Sequence, residues 1–229
     1  MDLHTMGSRS LNHNTLKYSS SFFSMIEAII FDIDGTLLDS EEANLASYQR
    51  IFEKAGYPIP SRDKIISLLH LTKHETIGAL AYGMPAGKID ALREFAQNVA
   101  YPVELLGVFP HSKEAVISLS QKYKLGLASN RLKKSIDVYF TVSGLRDYFP
   151  VVIGADEVIN PKPSPEPLLK VLDQLEITTD HAVYVGDTLV DLQAARAARM
   201  KVILHRSSIP GADGYFSSYT ELEQLIEKL

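Results

Sequence analysis

The apolar and polar positions of the chain follow distinct patterns along its length. Near the beginning, the short apolar run Ala28–Phe31 leads directly into the sequence Asp32-Ile33-Asp34-Gly35-Thr36. A short apolar run bounded by glycine is typical of a strand that is buried on both faces of a sheet. We therefore predict a first strand over about residues 26–33.

Between residues 42 and 104, apolar residues recur at helical spacing, and nothing there alternates like a strand. From Val108 onward, short apolar runs alternate with helical patterns, which predicts a parallel sheet with helices on both faces. The further predicted strands cover 125–129, 151–154, 182–186 and 202–204. The predicted fold class is α/β: a Rossmann-like parallel-sheet core (25–41 and 105–229) with a small all-helical domain (42–104) inserted after the first strand.

The composition is that of an ordinary globular protein, with 45% hydrophobic and 22% charged residues in a chain of 229. The formal net charge of −5 argues against a nucleic-acid partner, because such binders usually carry a basic face. No apolar stretch approaches the roughly 20 residues that span a bilayer, so no membrane association is predicted. The absence of cysteine excludes disulfides and a cysteine nucleophile and fits a cytoplasmic location.

Residues 1–24 differ from the rest because they are rich in serine, hold a single acidic residue and show no periodicity. A disordered N-terminal extension, an expression leader and a weak organelle-targeting peptide are all compatible with this pattern. We favour a dispensable extension and leave it out of the predicted fold.

Polar residues follow the predicted strands at the point where each one ends. In an open parallel sheet, ligands bind beyond the carboxyl ends of the strands, where the strand order reverses. Each such residue alone is ordinary, but their joint placement on one edge favours a functional site. These residues are Asp32 and Asp34 after the first strand, Ser129, Asn130 and Arg131 after the second, Lys162 after the third, and Asp187 and Asp191 after the fourth.

Two pairs of carboxylates are expected at this edge. Side chains alternate along a strand, so Asp32 and Asp34 point to the same side, where they repel each other unless a cation or a shared proton intervenes. Asp187 and Asp191 are four residues apart and share one helix face; taken alone, this spacing would favour a helix N-cap followed by a solvated helix position. Oxygen ligands with room for water favour Mg²⁺ over Zn²⁺.

Candidate phosphate-binding residues occupy the same edge. Lys162 lies between two prolines, which limit the directions that the chain can take, although a solvated lysine is the usual outcome in a loop. Ser129 and Asn130 offer donors for phosphoryl oxygens, and Gly35 lets a ligand approach the backbone closely.

The motifs Asp32-Ile33-Asp34-Gly35-Thr36, Ser129-Asn130, Lys162 and Gly186–Asp191, in this order, resemble the four motifs of haloacid dehalogenase (HAD) superfamily phosphatases. The helical region 42–104 resembles the cap of the phosphoglycolate phosphatase and β-phosphoglucomutase-like branch. The resemblance covers nearly all of residues 25–229. It implies a Mg²⁺-dependent phosphatase that acts on a small phosphorylated metabolite.

The resemblance also implies a role for each motif residue. Asp32 would be the nucleophile that forms an aspartyl-phosphate, and Asp34 the general acid and base. Mg²⁺ would be held by the Asp32 carboxylate, the Asp34 backbone carbonyl and Asp187, with Asp191 assisting directly or through water. The phosphoryl oxygens would be bound by Ser129 and Lys162.

Other functions remain open at this stage. A sugar phosphomutase of the β-phosphoglucomutase type would use the same Asp32, although the cap loop 69–73 lacks the glycine and arginine typical of such enzymes. Within that loop, His70 and Lys73 are candidates for substrate contact, and exposed polar residues without a role are an equal alternative. A receiver-type signalling domain and an inactive binding protein are weaker alternatives. Neither the particular substrate nor the choice between monomer and dimer follows from the sequence.

Overall fold

A six-stranded sheet forms the centre of the computed structural model, which describes residues 26–229. The sheet has the order β5-β4-β1-β6-β7-β8 and every pairing in it is parallel, while β2 and β3 form a separate antiparallel pair. The strands are β1 (Ala28–Phe31), β2 (Leu38–Asp39), β3 (Gly107–Val108), β4 (Lys124–Ala128), β5 (Val151–Ile153), β6 (Ala182–Gly186), β7 (Lys201–His205) and β8 (Gly214–Phe216).

Helices lie in the connections between successive strands except those from β1 to β2 and from β7 to β8, in line with the alternating pattern of the sequence. They are α1 (Glu41–Lys54), α2 (Arg62–Ile66), α3 (Lys73–Leu80), α4 (Ala86–Gln97), α5 (Ser112–Leu119), α6 (Lys133–Ser143), α7 (Glu166–Leu175), α8 (Leu189–Ala197) and α9 (Leu222–Ile226). The predicted α/β fold class with a helical insertion after the first strand is confirmed. The predicted N-terminal extension, residues 1–24, lies outside the described residues.

Side chains of β1 alternate between two hydrophobic layers, because neighbouring residues of a strand face opposite sides. Ile29 and Phe31 pack in the layer that contains residues of α5, α6 and α9, whereas Ala28 and Ile30 pack in the layer that contains residues of α7 and α8. Burial on both faces explains why β1 is continuously apolar. The polar residues that follow β1 in the sequence lie beyond its carboxyl end, at an edge of the sheet.

The helices α1 to α4 enclose a hydrophobic cluster of their own. It contains Leu45, Tyr48, Ile51, Phe52, Ile65, Ile77, Ala81, Leu92, Ala96 and Val99. Where the chain enters and leaves this helical segment, β2 pairs with β3 through Leu38 opposite Val108 and Asp39 opposite Gly107. A division into a core of 25–41 and 105–229 and a cap of 42–104 is consistent with this packing and stays a prediction.

None of the helices within residues 26–229 combines the length and the apolar character needed to cross a membrane.

Candidate active site

A cleft of about 1550 Å³ lies at the carboxyl end of β1. The chain places β4 on one side of β1 and later returns to place β6 on the other side, so the strand order reverses at this point. Part of the cleft wall comes from the helical segment. All of the predicted site residues line it: Asp32, Asp34, Gly35, His70, Lys73, Ser129, Asn130, Lys162, Asp187 and Asp191.

Lys162 lies at the centre of the buried part of the site. Its Nζ atom is 2.8 Å from Asp32 Oδ1, 2.7 Å from Asp191 Oδ1 and 2.9 Å from the Tyr184 hydroxyl. Burial alone would lower the pKa of Lys162, but the two carboxylates outweigh it and hold the pKa above its usual value. The ammonium therefore stays charged, with all three of its N–H donors engaged.

Asp32 combines burial with several charged neighbours, and its residue exposure is only 6%. Burial and the nearby carboxylates of Asp191 and Asp34 raise its pKa to about 7, although Lys162 opposes this rise. Removal from water disfavours the charged form, and each like charge adds to that effect. The site therefore disfavours the anionic form of Asp32 relative to an aspartate in water.

The Asp187 side chain accepts a hydrogen bond from one hydroxyl and has no cationic partner among the hydrogen bonds of residues 26–229. Thr36 Oγ1 donates to its Oδ1 at 3.3 Å, and burial together with the charges of Asp191 and Asp32 raises its pKa well above the usual value. One carboxylate oxygen from each of these three aspartates lies within 4.8 Å of the others. This excess of buried negative charge, built of oxygen atoms alone, fits a hard divalent cation.

Gly35 makes close approach to Asp187 possible. Its φ of +71° lies in the left-handed region, and a Cβ atom at this position would be 2.0 Å from Asp187 Oδ2. Only glycine satisfies both conditions without strain.

Asp191 uses both of its oxygens in ways that the sequence did not reveal. Oδ1 accepts from Lys162 and from Tyr184 (2.9 Å), and Oδ2 accepts from the backbone and hydroxyl of Thr188 in a capping box at the start of α8. A capping box satisfies backbone donors at a helix start. Thr188 is thus the N-cap residue of α8, and Asp191 is buried, so a solvated position for Asp191 is wrong.

The Asn130 side chain has a different partner from the phosphoryl oxygens that we expected. Its amide donates to the Lys162 carbonyl at 3.1 Å, and its Oδ1 accepts from the Lys162 N–H at 3.0 Å. This pair of bonds fixes the backbone that carries the central lysine. Neighbouring Ser129 is buried, with its Oγ accepting from the Arg131 N–H at 3.3 Å.

The side chain of Asp34 pairs with Arg131, whereas that of Asp32 pairs with Lys162. Arg131 Nε donates to its Oδ2 at 2.5 Å and Nη2 to its Oδ1 at 2.6 Å, and Ser40 and Asn44 donate to Oδ1 as well. Burial would raise the pKa of Asp34, but the charge of Arg131 and these hydrogen bonds hold it below its usual value. The two aspartates of the motif thus have separate environments.

The two candidate residues of the helical segment are both exposed. Lys73 begins α3, and its Nζ donates to the Ala96 carbonyl in α4 at 3.0 Å. Burial of its stem and the charge of Lys134 lower its pKa. His70 lies in the loop before α3 and lines the cleft.

Sequence reasoning missed Tyr184, Ser40 and Asn44 and gave Arg131 no role. Tyr184 is hidden in an apolar strand, and its hydroxyl meets Lys162 only because β6 lies beside β1. Arg131 was visible as a polar residue after a strand, but its partner Asp34 is 97 positions away.

Comparisons with known proteins agree with this geometry. Residues 29–205 match the model of the haloacid dehalogenase-like hydrolase family. Pyrophosphatase PpaX of Bacillus velezensis is 28% identical over 207 residues, which cover 89% of this chain and 93% of that protein.

Solved structures extend the similarity. A HAD-superfamily hydrolase of subfamily IA, variant 1, from Geobacter sulfurreducens is 35% identical, with a TM-score of 0.70 and coverage of 88% of this chain and 96% of that one. A putative phosphoglycolate phosphatase from Lactobacillus plantarum, 21% identical, shares the fold with a TM-score of 0.78 over 88% of this chain and 99% of that one. The predicted family and its phosphatase class are therefore confirmed, and the chain belongs to the haloacid dehalogenase-like hydrolase family.

Proposed function

We propose that the protein is a Mg²⁺-dependent phosphatase that hydrolyses a small phosphorylated metabolite through an aspartyl-phosphate on Asp32. The observation that carries this proposal is the cluster of Asp32, Asp187 and Asp191 at the carboxyl end of β1, in which Lys162 pairs with Asp32 and Asp191. Such a cluster offers a nucleophile, a cation site and a fixed positive charge within one small volume. Similarity to a protein named pyrophosphatase supports a phosphorylated substrate.

In the first chemical step, a carboxylate oxygen of Asp32 attacks phosphorus. The new O–P bond forms as the bond between phosphorus and the ester oxygen breaks, and the ester oxygen leaves with the electron pair. Lys162, 2.8 Å from Asp32, balances the negative charge that gathers around the transferred group. The Asn130 amide bonds the backbone N–H and carbonyl of Lys162, so it fixes the backbone that carries this ammonium.

Asp34 is the general acid and base in this proposal. Paired with Arg131, Asp34 is a carboxylate; away from that arginine it can take up a proton, which it gives to the leaving oxygen in the first step. In the second step the resulting carboxylate takes a proton from the water that attacks phosphorus, which restores the protonated form. The second step breaks the Asp32–phosphorus bond and returns Asp32 to its carboxylate form. Asp34 must leave Arg131 to do this, because both of its oxygens are engaged in that ion pair.

The divalent cation would be held by the carboxylates of Asp32 and Asp187 together with the backbone carbonyl of Asp34, with Asp191 assisting directly or through water. The acidic cluster and the rise in the pKa of Asp187 support this assignment. When bound, the cation neutralises phosphoryl oxygens and helps to orient them for in-line attack.

A phosphate-release screen over phosphorylated metabolites, with Mg²⁺ and with EDTA, tests the proposal. We expect Mg²⁺-dependent release by the wild-type protein and a loss of at least about a thousandfold in kcat for Asp32→Asn, because the amide is not a nucleophile. Asp173→Asn, at an exposed position in α7, is the matched control and should keep wild-type activity. Full activity of Asp32→Asn, or release that does not need a divalent cation, would contradict the mechanism.

A sugar phosphomutase remains the second candidate, since a cleft of about 1550 Å³ has room for a sugar phosphate. A mutase returns the phosphoryl group to the sugar, so it forms a sugar bisphosphate, whereas a phosphatase releases inorganic phosphate. Phosphorus NMR during turnover of a hexose phosphate separates the two. The cytoplasmic location stays a prediction.

A further inference from the structure

The guanidinium of Arg131 is held between Asp34 and Tyr101 at the wall of the cleft. Its Nε and Nη2 atoms engage both oxygens of Asp34, Nη2 also donates to the Tyr101 hydroxyl at 3.3 Å, and its Cζ lies 5.5 Å from the centre of the Tyr101 ring. The side chain is 12% exposed, and both Arg131 and Tyr101 line the cleft. A ligand in the cleft can therefore reach the guanidinium.

Bidentate pairing is the geometry in which arginine recognises a carboxylate or a phosphate. In this structure Arg131 pairs in this way with Asp34, the carboxylate that the proposed mechanism needs at the ester oxygen of the substrate. Ser40 and Asn44 donate to the same Asp34, so three donors meet its Oδ1 and Arg131 Nε meets its Oδ2. These contacts hold the group in its ionised form, in which it has no proton to give to the ester oxygen while the ion pair is intact.

Separating this pair leaves a largely buried arginine without a counter-charge. An unpaired buried charge is strongly unfavourable, so the departure of Asp34 requires another anion at the same place. The phosphoryl group that reacts at Asp32 is directed to Lys162, on the other side of the motif. The replacement anion must therefore be a second group on the substrate.

The charge of the cleft wall also favours a second anionic group on the substrate. Among the described residues that line the cleft between positions 66 and 101, the ionisable side chains other than tyrosine are all basic: His70, Lys73, His74 and Arg93. Lys134, at the start of α6, adds a further positive charge that acts on Lys73. A wall with this charge favours a leaving group that is itself anionic.

We propose that Arg131 is a specificity-determining residue that binds a second anionic group, a carboxylate or a phosphate, on the leaving part of the substrate. This group replaces Asp34 as the partner of the guanidinium and releases Asp34 toward the ester oxygen. The inference rests on the proposed phosphatase function and adds a substrate class to it. It also connects that class to the helical segment, because the Tyr101 hydroxyl donates to Asn44 Oδ1 at 2.8 Å.

A matched pair of substrates tests the inference. Carboxymethyl phosphate (2-phosphoglycolate) carries a carboxylate, and its amide, carbamoylmethyl phosphate, is nearly the same shape without the charge. We expect the wild-type protein to prefer the carboxylate by at least about tenfold in kcat/KM, the scale of a charge-assisted bidentate contact. Pyrophosphate, compared with methyl phosphate, is the arm that tests a phosphate as the second group.

Arg131→Gln removes the guanidinium. We expect the carboxylate preference to fall below about threefold, with turnover of the amide substrate equal to or above that of the wild type, because Asp34 is no longer held. For pyrophosphate and methyl phosphate, the ratio of their kcat/KM values is compared between the wild type and the variant. The different intrinsic reactivities of the two substrates then cancel. Lys88→Gln removes the same charge at an exposed position of α4 that does not line the cleft, and it should retain the wild-type preference.

The outcomes separate the inference from the proposed function. A wild-type enzyme that shows no preference for the anionic member of either pair, or hydrolyses none of the four probes, overturns the inference. Equal losses on the charged and neutral substrates in Arg131→Gln also overturn it, because a purely structural role would lower both together. The wider metabolite screen with Asp32→Asn judges the phosphatase mechanism independently. If Arg131→Gln does not fold, Arg131→Lys replaces it and should lower the preference while retaining some of it.

Discussion

Lys162 and Asp32 form an ion pair whose side chains are only 3% and 9% exposed. The lysine is shared with Asp191, so one ammonium serves two buried carboxylates. Each partner depends on the others, because a buried charge without compensation is far less stable than a buried pair. The stability of the site and its chemistry are therefore linked through Lys162.

Lys162→Met should destabilise the protein strongly. The methionine fills a similar volume but leaves Asp32 and Asp191 without their cation, so we expect a loss of about 3–5 kcal/mol in the free energy of unfolding. Urea denaturation at neutral pH without divalent ions measures it. Lys134→Met, a change at an exposed lysine of the same cleft, should alter stability by less than about 0.5 kcal/mol. Equally small effects of the two changes would contradict the finding that Lys162 holds the cluster together.

Asp187→Asn should stabilise the metal-free protein. The folded state raises the pKa of Asp187, so its charged form is disfavoured by folding, and this penalty grows as the pH rises. We expect a gain of roughly 1 kcal/mol at pH 8 that shrinks toward pH 5. Thermal unfolding in EDTA measures the gain, and Asp173→Asn is the control that should show none.

The same Asp187→Asn protein should lose the stabilisation that Mg²⁺ gives to the wild type. A ligand that binds only the folded state raises the unfolding temperature, and the stabilisation grows with the logarithm of its concentration relative to its Kd. Titrating Mg²⁺ during thermal unfolding therefore tests the cation site without measuring activity. An unchanged response to Mg²⁺ would exclude Asp187 as a ligand.

Strand ends and the fold class were accessible from the sequence because they depend on local pattern. The run Ala28–Phe31 is apolar on both faces, and the polar residues behind each strand meet at one edge in any parallel sheet. The strands β2 and β3 have only two residues each, which is too few to show an alternating pattern. Their pairing also joins positions about 70 residues apart in the sequence. The strand β8, which covers only Gly214–Phe216, was missed for the same reason.

Individual partners in the site were less accessible. The pairing of Arg131 with Asp34 and of Asn130 with the backbone of Lys162 needs the tertiary fold, because an arginine or asparagine after a strand looks the same whether it binds substrate, protein or water. Tyr184 had the pattern of an ordinary core residue. Its hydroxyl matters only because Lys162 and Asp191 converge on it.

Gly35→Ala separates backbone strain from steric conflict. A Cβ atom at Gly35 would overlap with Asp187 Oδ2, whereas Gly56, with a similar φ of +75°, has nothing within 4 Å of the equivalent position. Gly35→Ala and the control Gly56→Ala should each lower the free energy of unfolding by about 1–2 kcal/mol, because alanine is strained in the left-handed conformation. Only Gly35→Ala should also lose the Mg²⁺ response and at least about tenfold in phosphatase activity. Similar activity in the two variants would show that the contact with Asp187 does not matter.

Asn130→Ala should impair activity through Lys162. Its two hydrogen bonds fix the Lys162 backbone, so their loss should lower kcat by about tenfold or more. If Asn130 acts only through the lysine, adding Asn130→Ala to Lys162→Ala should cause little further loss in kcat. Asn160→Ala, which removes an exposed hydrogen bond to Glu166, is the control for loss of an asparagine. Additive losses in the double variant would instead indicate a direct contact of Asn130 with substrate.

His205 gives the protein an acid-sensitive contact behind the motif. Its Nδ1 lies 2.8 Å from the Gly35 carbonyl oxygen, and its ring packs against Phe109 and Phe216 at centroid distances of 4.6 and 4.8 Å. Burial, aided by the charge of Arg206, lowers its pKa despite the hydrogen bond to Gly35. The folded state therefore disfavours the protonated imidazole.

The sign of the effect follows from proton binding. An unfolded histidine takes up a proton near its usual pKa of about 6.5, before the folded one does, so stability falls as the pH drops from 7 to 5. In His205→Gln this contribution is absent, so the stability difference between wild type and variant should shrink over that range, by up to about 1.4 kcal/mol per unit of pKa difference. Urea denaturation at several pH values measures it. His74→Gln, at an exposed position, controls for loss of an imidazole, and a wild-type advantage that grows on acidification would contradict the assignment.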